Sequence, residues 1–376
     1  MKNRAERESN LELLRIVSMI FIIIYHIILH GNYMDRSLGA CKLLLLLIES
    51  FTIVHVNSYI LLTGYFQSSS RLRATKVMAL NNSAWFYRVV FMFLFMFLGL
   101  AKPNSIVIFQ NVLPIDYDTY WFLNAYIALY LFSPILNRLI NSCNKKQLKA
   151  IIFGLFLMIS IIPTITIDTW LNTWSGHSLI TFILLYLIGA YLRKFPIEKE
   201  LLFKSWSSEK QSFLFCFLYF SFAFISFLLV VLGQDMHQLG RFTSYIGRVI
   251  ENFHISYTSP IVIIEAIFYL LFFRTIRIKS KFINKISASC FGVYLIHDNY
   301  YVRTILYEKL GITSIPVSIK NVFLTILAAI VIFIICTLIE SIRRFVFQKI
   351  YNTNIAKKNR IAYQKYFSKL GININW

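Results

Sequence analysis

The sequence predicts an all-α fold: a polytopic membrane protein, a bundle of about ten transmembrane helices with N-terminus and C-terminus both cytoplasmic. Three observations predict it. First, 57% of the 376 residues are hydrophobic, 17% are aromatic, only 15% are charged and mean hydropathy is +0.63, far more apolar than a soluble domain. Second, apolar windows of about 20 residues, long enough to cross a hydrocarbon core, recur near residues 12–30, 41–66, 81–101, 120–140, 149–167, 177–194, 211–232, 254–273, 285–303 and 320–342. Third, lysine and arginine outnumber acids 38 to 17, and an inner N-terminus puts all but eight of the 38 on the cytoplasmic side, as the positive-inside rule requires. The eight are Arg36, Lys42, Lys102, Arg241, Arg248, Arg303, Lys309 and Lys320. A net charge of +21 in a soluble protein would suggest nucleic acid. Here its placement is topological, so the bilayer is an expected partner and nucleic acid is not.

The first window, Leu11 to His30, is too long and too interrupted by charge for a signal-peptide core and is expected to stay as a helix. Within it, Arg15 and His26 are separated by a rise of about 16.5 Å and three turns plus roughly 20°, so they share one face at different depths. Glu12 lies one turn from Arg15 and can pair with it, and His30 lies one turn beyond His26. Ionisable groups at bilayer depth are functional candidates. The plainer alternative is that Arg15 snorkels to the inner headgroups and His26 hydrogen-bonds a neighbouring helix.

The second window carries Glu49, His55, Asn57 and Gly64. Asn57 and Gly64, seven apart, face the same way within about 20°, and Gly64 lets a backbone or a ligand come close. The inner loop that follows holds Arg71, Arg73 and Lys76, cations suited to phosphates, although topology alone would also make that loop basic. The fourth window opens on Tyr120-Trp121-Phe122-Leu123-Asn124. The aromatics suit an interfacial belt, and Asn124 can orient a substrate hydroxyl. The outer loops Lys102 to Thr119 and Gly233 to Phe253 are expected to fold over the outer mouth.

In the eighth window Pro260 is expected to mark a kink, with Glu265 near mid-membrane and His254 eleven residues above it on one face. A carboxylate there must be protonated, paired or facing a wet cavity. The ninth window, running outward through Tyr294-Leu295-Ile296-His297, brings His297 to a depth near that of His26, with Tyr294 and Tyr301 on the same face. Residues 1–342 thus form the transmembrane domain, and residues 343–376, with basic and aromatic residues but no acids, form an amphipathic tail suited to the anionic cytoplasmic leaflet. The five cysteines lack CxxC spacing, which argues against structural zinc or a disulfide framework, and no metal is expected.

Taken in order, Arg15 with His26 ten residues between them, the Asn57 to Gly64 stretch, the basic loop after it, Trp121-Phe122-Leu123 and Tyr294-Leu295-Ile296-His297 resemble the bacterial acyltransferase family 3, integral-membrane O-acyltransferases of surface polysaccharides. The resemblance runs over nearly the whole chain. One departure concerns the inner loop, where the family's Arg-x-x-Arg becomes Arg73-Ala74-Thr75-Lys76; a lysine meets phosphate as a point charge rather than a fork. The resemblance implies a multi-pass protein of the bacterial plasma membrane that moves an acyl group, most often acetyl, from cytoplasmic acetyl-CoA to a carbohydrate hydroxyl across the bilayer. On that basis the catalytic candidates are His26, Asn57 and His297, with His26 either the general base or a transient acyl carrier. Arg15, Arg71, Arg73 and Lys76 are the candidates for binding the acetyl-CoA cosubstrate, and His30, Glu49, Asn124 and Glu265 those for binding the acceptor. Asn57 and Asn124 are both suited to a developing oxyanion. A transporter or flippase of lipid-linked sugars and a polysaccharide polymerase are the competing readings; the first would suit the intramembrane charges, but the chain has no paired halves.

Overall fold

The computed structural model describes residues 7–113, 120–167, 170–171, 173–197, 200, 203–236, 239–309 and 317–351. Those residues form helices and connections with no strand. In chain order the helices are α1 Ser9–His30, α2 Gly39–Thr52, α3 His55–Gln67, α4 Ala74–Phe97, α5 Ser105–Val112, α6 Trp121–Ser142, α7 Lys145–Phe156, α8 Ile162–Ile165, α9 Leu179–Lys194, α10 Ser208–Met236, α11 Arg241–Ile255, α12 Pro260–Thr275, α13 Lys281–Ser287, α14 Cys290–His297, α15 Tyr300–Arg303 and α16 Ile319–Tyr351. A π-helical segment, Leu157–Ile161, joins α7 to α8, and another, Thr304–Lys309, follows α15.

Among the described residues, six helical stretches are long and apolar enough to cross a membrane: Ser9–His30, Gly39–Gln67, Trp121–Ser142, Lys145–Ile165, Ser208–Met236 and Ile319–Ile350. The other four windows differ for physical reasons. Polar residues such as Lys76, Asn81, Asn82 and Arg88 sit inside α4. Both α9 and α12 are 16 residues long, about 24 Å, and most of their residues are buried among other helices. The ninth window is broken into α13, α14 and α15.

Two breaks correct the sequence reading. Pro260 is the first residue of α12, with the Ser259 hydroxyl capping the Val262 amide, so it starts a helix instead of kinking one. His254 therefore belongs to α11 and does not continue the face of Glu265. In the ninth window, Asn299 caps α15 by accepting from the Tyr301 amide at 3.1 Å, because a short amide side chain competes with helix continuation. Tyr301 consequently packs with Met92 and Phe95, away from the face of His297.

Helix α1 runs through the middle, touching α2, α3, α12, α13, α14 and α16. One apolar cluster on its flank joins Leu11 and Leu14 to α3, α9 and α12, and a second joins Ile16, Met19 and Ile23 to α14 and α16. α3 and α9 cross at two glycines. A Cβ on Gly64 would lie 2.0 Å from the Tyr186 carbonyl oxygen, and one on Gly189 would lie 2.0 Å from that of Leu61. The small residue thus admits a backbone. At the α4/α16 contact, Glu340 takes a bidentate pair from Arg343 at 2.7 and 2.7 Å and the Tyr87 hydroxyl at 2.6 Å.

The connection between α4 and α6 folds back along α4. Arg88 donates to the Leu113 carbonyl at 3.0 Å and Trp85 to that of Val112 at 2.8 Å, so Arg88 is buried at the C-terminal end of α5, where a cation suits the helix dipole. Its charge, counted on the inner side in the sequence reading, caps a helix of the connection expected to be outer. Most of the second expected outer loop is helix α11, packed on α10 through Gly233 and Gly247. The start of the basic tail continues α16 to Tyr351, and its remainder, 352–376, lies outside the described residues.

Candidate active site

A helical stripe sets the site. Arg15, Met19, Ile22, His26 and Leu29 fall at spacings of four, three, four and three along α1, which keeps them on one face. All five line a cavity of about 390 Å³. The opposite walls come from α3 (His55, Tyr59, Thr63), α4 (Lys76), α6 (Trp121, Phe122, Tyr126) and α14 (Cys290, Phe291, Tyr294), with His177 and Tyr257 added by connections. Arg15 and His26 therefore stand in one space, about 16.5 Å apart along the axis.

At one end are the cations. Arg15 Nη1 donates to both oxygens of Glu12, at 2.9 and 2.8 Å, and its guanidinium lies over the Phe66 ring. Lys76 Nζ donates to the Tyr126 hydroxyl at 3.3 Å and sits 4.4 Å from the centre of the Tyr130 ring. These contacts leave Arg15 Nη2 and Nε, and the remaining Lys76 hydrogens, without a hydrogen-bond partner among the described residues. Arg71 and Arg73 are exposed on the loop outside and do not line this cavity.

At the other end are imidazoles in fixed tautomers. His297 is buried, and its Nδ1 lies 2.7 Å from the Val293 carbonyl oxygen. A carbonyl only accepts, so that nitrogen carries the hydrogen and Nε2 of the neutral ring holds a lone pair. His26 Nδ1 lies 3.1 Å from that Nε2 and is consequently the donor. It follows that the lone pair of His26 is on Nε2, the atom on the far edge of the ring from His297. By the same reasoning His55 donates from Nδ1 to the Thr52 carbonyl at 2.6 Å and accepts at Nε2 from the Tyr257 hydroxyl at 3.0 Å. The His177 ring, held to the Trp174 carbonyl, packs 4.4 Å from the Trp121 ring.

The arrangement is a cavity with cations at one end and a hydrogen-bonded imidazole carrying a lone pair at the other. A family model described as an acyltransferase domain matches residues 8–341. The chain belongs to acyltransferase family 3. No curated protein and no solved structure matches it.

In this membrane acyltransferase the residues singled out from sequence separate into three groups. Arg15, Lys76 and His26 line the cavity, and His297 touches His26 from behind. His30 stands beside them on the other side of His26, its Nε2 4.0 Å from Asp298 Oδ1 and its ring lining a smaller cavity with Arg303 and Tyr307. The rest lie apart from the cavity walls. Asn57 is buried and donates to the Tyr257 carbonyl at 3.0 Å, holding a wall residue rather than facing the space. Glu49 lies 3.5 Å from His254, which bonds Ser226 at 2.9 Å. Glu265 is fully buried, with neither oxygen hydrogen-bonded among the described residues. Asn124 is exposed on α6, one turn from Trp121, and does not line the cavity.

Sequence reasoning did not single out His177, Tyr257 or Asp298, and it mentioned His55 without a role. The signal for Asp298 was the Asp298-Asn299 pair inside an apolar window. Its carboxylate, 3.6 Å from His26 Nδ1 and 3.4 Å from Arg303 Nη1, is placed by the break between α14 and α15.

Proposed function

We propose that this acyltransferase is an O-acetyltransferase of a bacterial plasma membrane. It takes acetyl from cytoplasmic acetyl-CoA and delivers it to a hydroxyl of a cell-surface or lipid-linked polysaccharide on the other face. The observation that carries the reading is the single cavity shared by Arg15, Lys76 and His26, with the His26 lone pair on Nε2. The topology that goes with it has about ten membrane crossings and both termini inside, with α9 and α12 as short crossings screened from lipid. The bilayer and the carbohydrate acceptor are then the partners.

Arg15 and Lys76 hold the phosphates of acetyl-CoA at the inner mouth, joined there by the exposed Arg71 and Arg73. The pantetheine arm lies along the α1 stripe past Tyr59 and Phe122, and the thioester reaches His26. The acceptor hydroxyl enters from the end lined by Leu29, Trp121, His177 and Tyr257, whose rings give a sugar's apolar face a surface. His26 Nε2 takes the hydroxyl proton as the oxygen attacks the thioester carbon. The tetrahedral intermediate then expels the CoA thiolate, which recovers that proton from His26. His297 accepts from Nδ1–H throughout and steadies the imidazolium. The Tyr25 hydroxyl is a wall donor suited to the oxyanion, whereas that of Tyr257 is given to His55, and Asn57 acts through the Tyr257 backbone.

Two measurements test the reading. Purified protein should bind labelled acetyl-CoA, and surface glycans of a deletion strain should lack O-acetyl groups that the complemented strain restores. Absence of acetyl-CoA binding would favour transport or polymerisation of the same sugars.

A further inference from the structure

The side of His26 away from the cavity carries a group that the reaction does not use. His26 and His30 are one turn apart on α1, and Asp298 from the α14/α15 break faces both. Asp298 Oδ1 lies 3.6 Å from His26 Nδ1 and 4.0 Å from His30 Nε2, and one ligand atom from each of the three side chains lies within 4.8 Å of the other two. Two imidazoles at i and i+4 with a carboxylate from another element are a donor set suited to a borderline divalent metal. The position has its own access. His30 lines a cavity of about 250 Å³ with Arg303 and Tyr307. Asp298 and Arg303 line another of about 630 Å³ that includes Lys102, Asn104 and Tyr300.

We propose that these three side chains form an inhibitory zinc site, entered from the acceptor side of the bundle. Zinc–nitrogen and zinc–oxygen bonds of about 2.0–2.2 Å set ligands roughly 3.3–3.5 Å apart. The two imidazole–carboxylate separations, 3.6 and 4.0 Å, are within about 0.7 Å of that range, and the two imidazoles have to close by at most about 1.5 Å, within reach of rotamer changes. Two neighbours oppose binding and must give way. Arg303, 3.4 Å from Asp298 with its side chain 35% exposed, swings into the adjoining cavity. His297 loses the hydrogen it accepts from His26.

The consequence for chemistry follows from the imidazole itself. A metal on Nδ1 of a neutral ring requires the hydrogen on Nε2. The lone pair that serves as base in the reaction thus disappears without any net change in the ring's proton count. Zinc on the outer side would stop transfer by exchanging one tautomer of His26 for the other. This inhibition rests on the reading of His26 Nε2 as the base; the binding site does not.

The test uses the full chain in nanodiscs, stripped with chelator and titrated with Zn²⁺, with Co²⁺ as a spectroscopic substitute. The expected result is one metal per chain, a visible Co²⁺ absorption typical of low coordination number, and affinity at least roughly tenfold weaker in both His30→Gln and Asp298→Asn. Binding should be unchanged in Cys216→Ser. Acetyl transfer, normalised to each variant's own metal-free rate, should fall over the same zinc range, recover with chelator, and need at least roughly tenfold more zinc in the two variants. Absence of stoichiometric binding, equal affinity in both variants, or loss of binding in Cys216→Ser overturns the site. Metal bound as expected with transfer undiminished overturns the inhibition and counts against Nε2 as the base, while leaving the site in place.

Discussion

Replacing His297 with alanine removes the group that fixes the His26 tautomer, and the structure allows its effect to be sized. In the resting enzyme the 3.1 Å contact from His26 Nδ1 to His297 Nε2 joins two neutral groups, a bond worth about 1 kcal/mol net. In the transition state of the proposed mechanism His26 carries the proton taken from the acceptor, and a hydrogen bond from a charged donor is worth about 1.5–3 kcal/mol. The difference, roughly 0.5–2 kcal/mol, is the part that kcat reads, or about 2- to 30-fold at about tenfold per 1.4 kcal/mol. His297 is buried and lies outside the cavity wall, so KM for acetyl-CoA should stay within about twofold. His297→Gln, whose amide oxygen can accept the same hydrogen, should recover part of the rate. The assay is initial-rate transfer from labelled acetyl-CoA by purified protein at varied donor concentration. A higher KM at unchanged kcat would refute the positioning role. So would a loss as large as that on removing His26, which would make His297 the base.

Three further outcomes follow from the same geometry. Lys76→Ala removes a cation at the inner mouth and should raise KM for acetyl-CoA roughly 10- to 100-fold, the cost of one charged contact, with kcat changed much less in the same kinetic assay. Gly64→Ala places a Cβ 2.0 Å from the Tyr186 carbonyl oxygen; the α3/α9 crossing must open by more than 1 Å, costing about 1–3 kcal/mol, and thermal unfolding in detergent should show a clear fall in midpoint. Asn124→Ala, on the exposed face of α6, should leave transfer rates within about twofold; a large loss would place the acceptor somewhere other than the cavity.

The parts of this protein that were legible in its sequence are those governed by a helical period. The seven-residue recurrence from Arg15 through Ile22 to Leu29, with His26 between, is enough to put a cation and an imidazole on one stripe of α1 before any neighbour is known. The glycine at 64 likewise announced a close approach. What periodicity cannot give is which other elements face that stripe. His55, His177 and Tyr257 come from three separate places and meet only through packing, and the carbonyls of Thr52 and Trp174 that orient two of these rings carry no side-chain signal. Hydropathy located the helices that other helices surround but not their true lengths. With 16 residues apiece, α9 and α12 are shorter than a free-standing span, and the ninth window hides two breaks whose Ser and Asx residues read as polar interruptions of one helix. Polar residues inside apolar windows proved ambiguous for the same reason. Asn57 turns to a backbone carbonyl, Glu49 to His254, and Asn124 away from the bundle, and nothing in their spacing distinguishes these directions from a cavity.

The central claim is that one imidazole performs the transfer at the end of the passage begun by Arg15. The most direct measurement is His26→Ala at matched membrane protein levels, read both as labelled acetyl-CoA binding and as O-acetyl groups delivered to surface glycans. The account predicts donor binding within a few-fold of the native protein and transfer reduced by roughly 10²–10⁴-fold. Undiminished O-acetylation by that variant would contradict it.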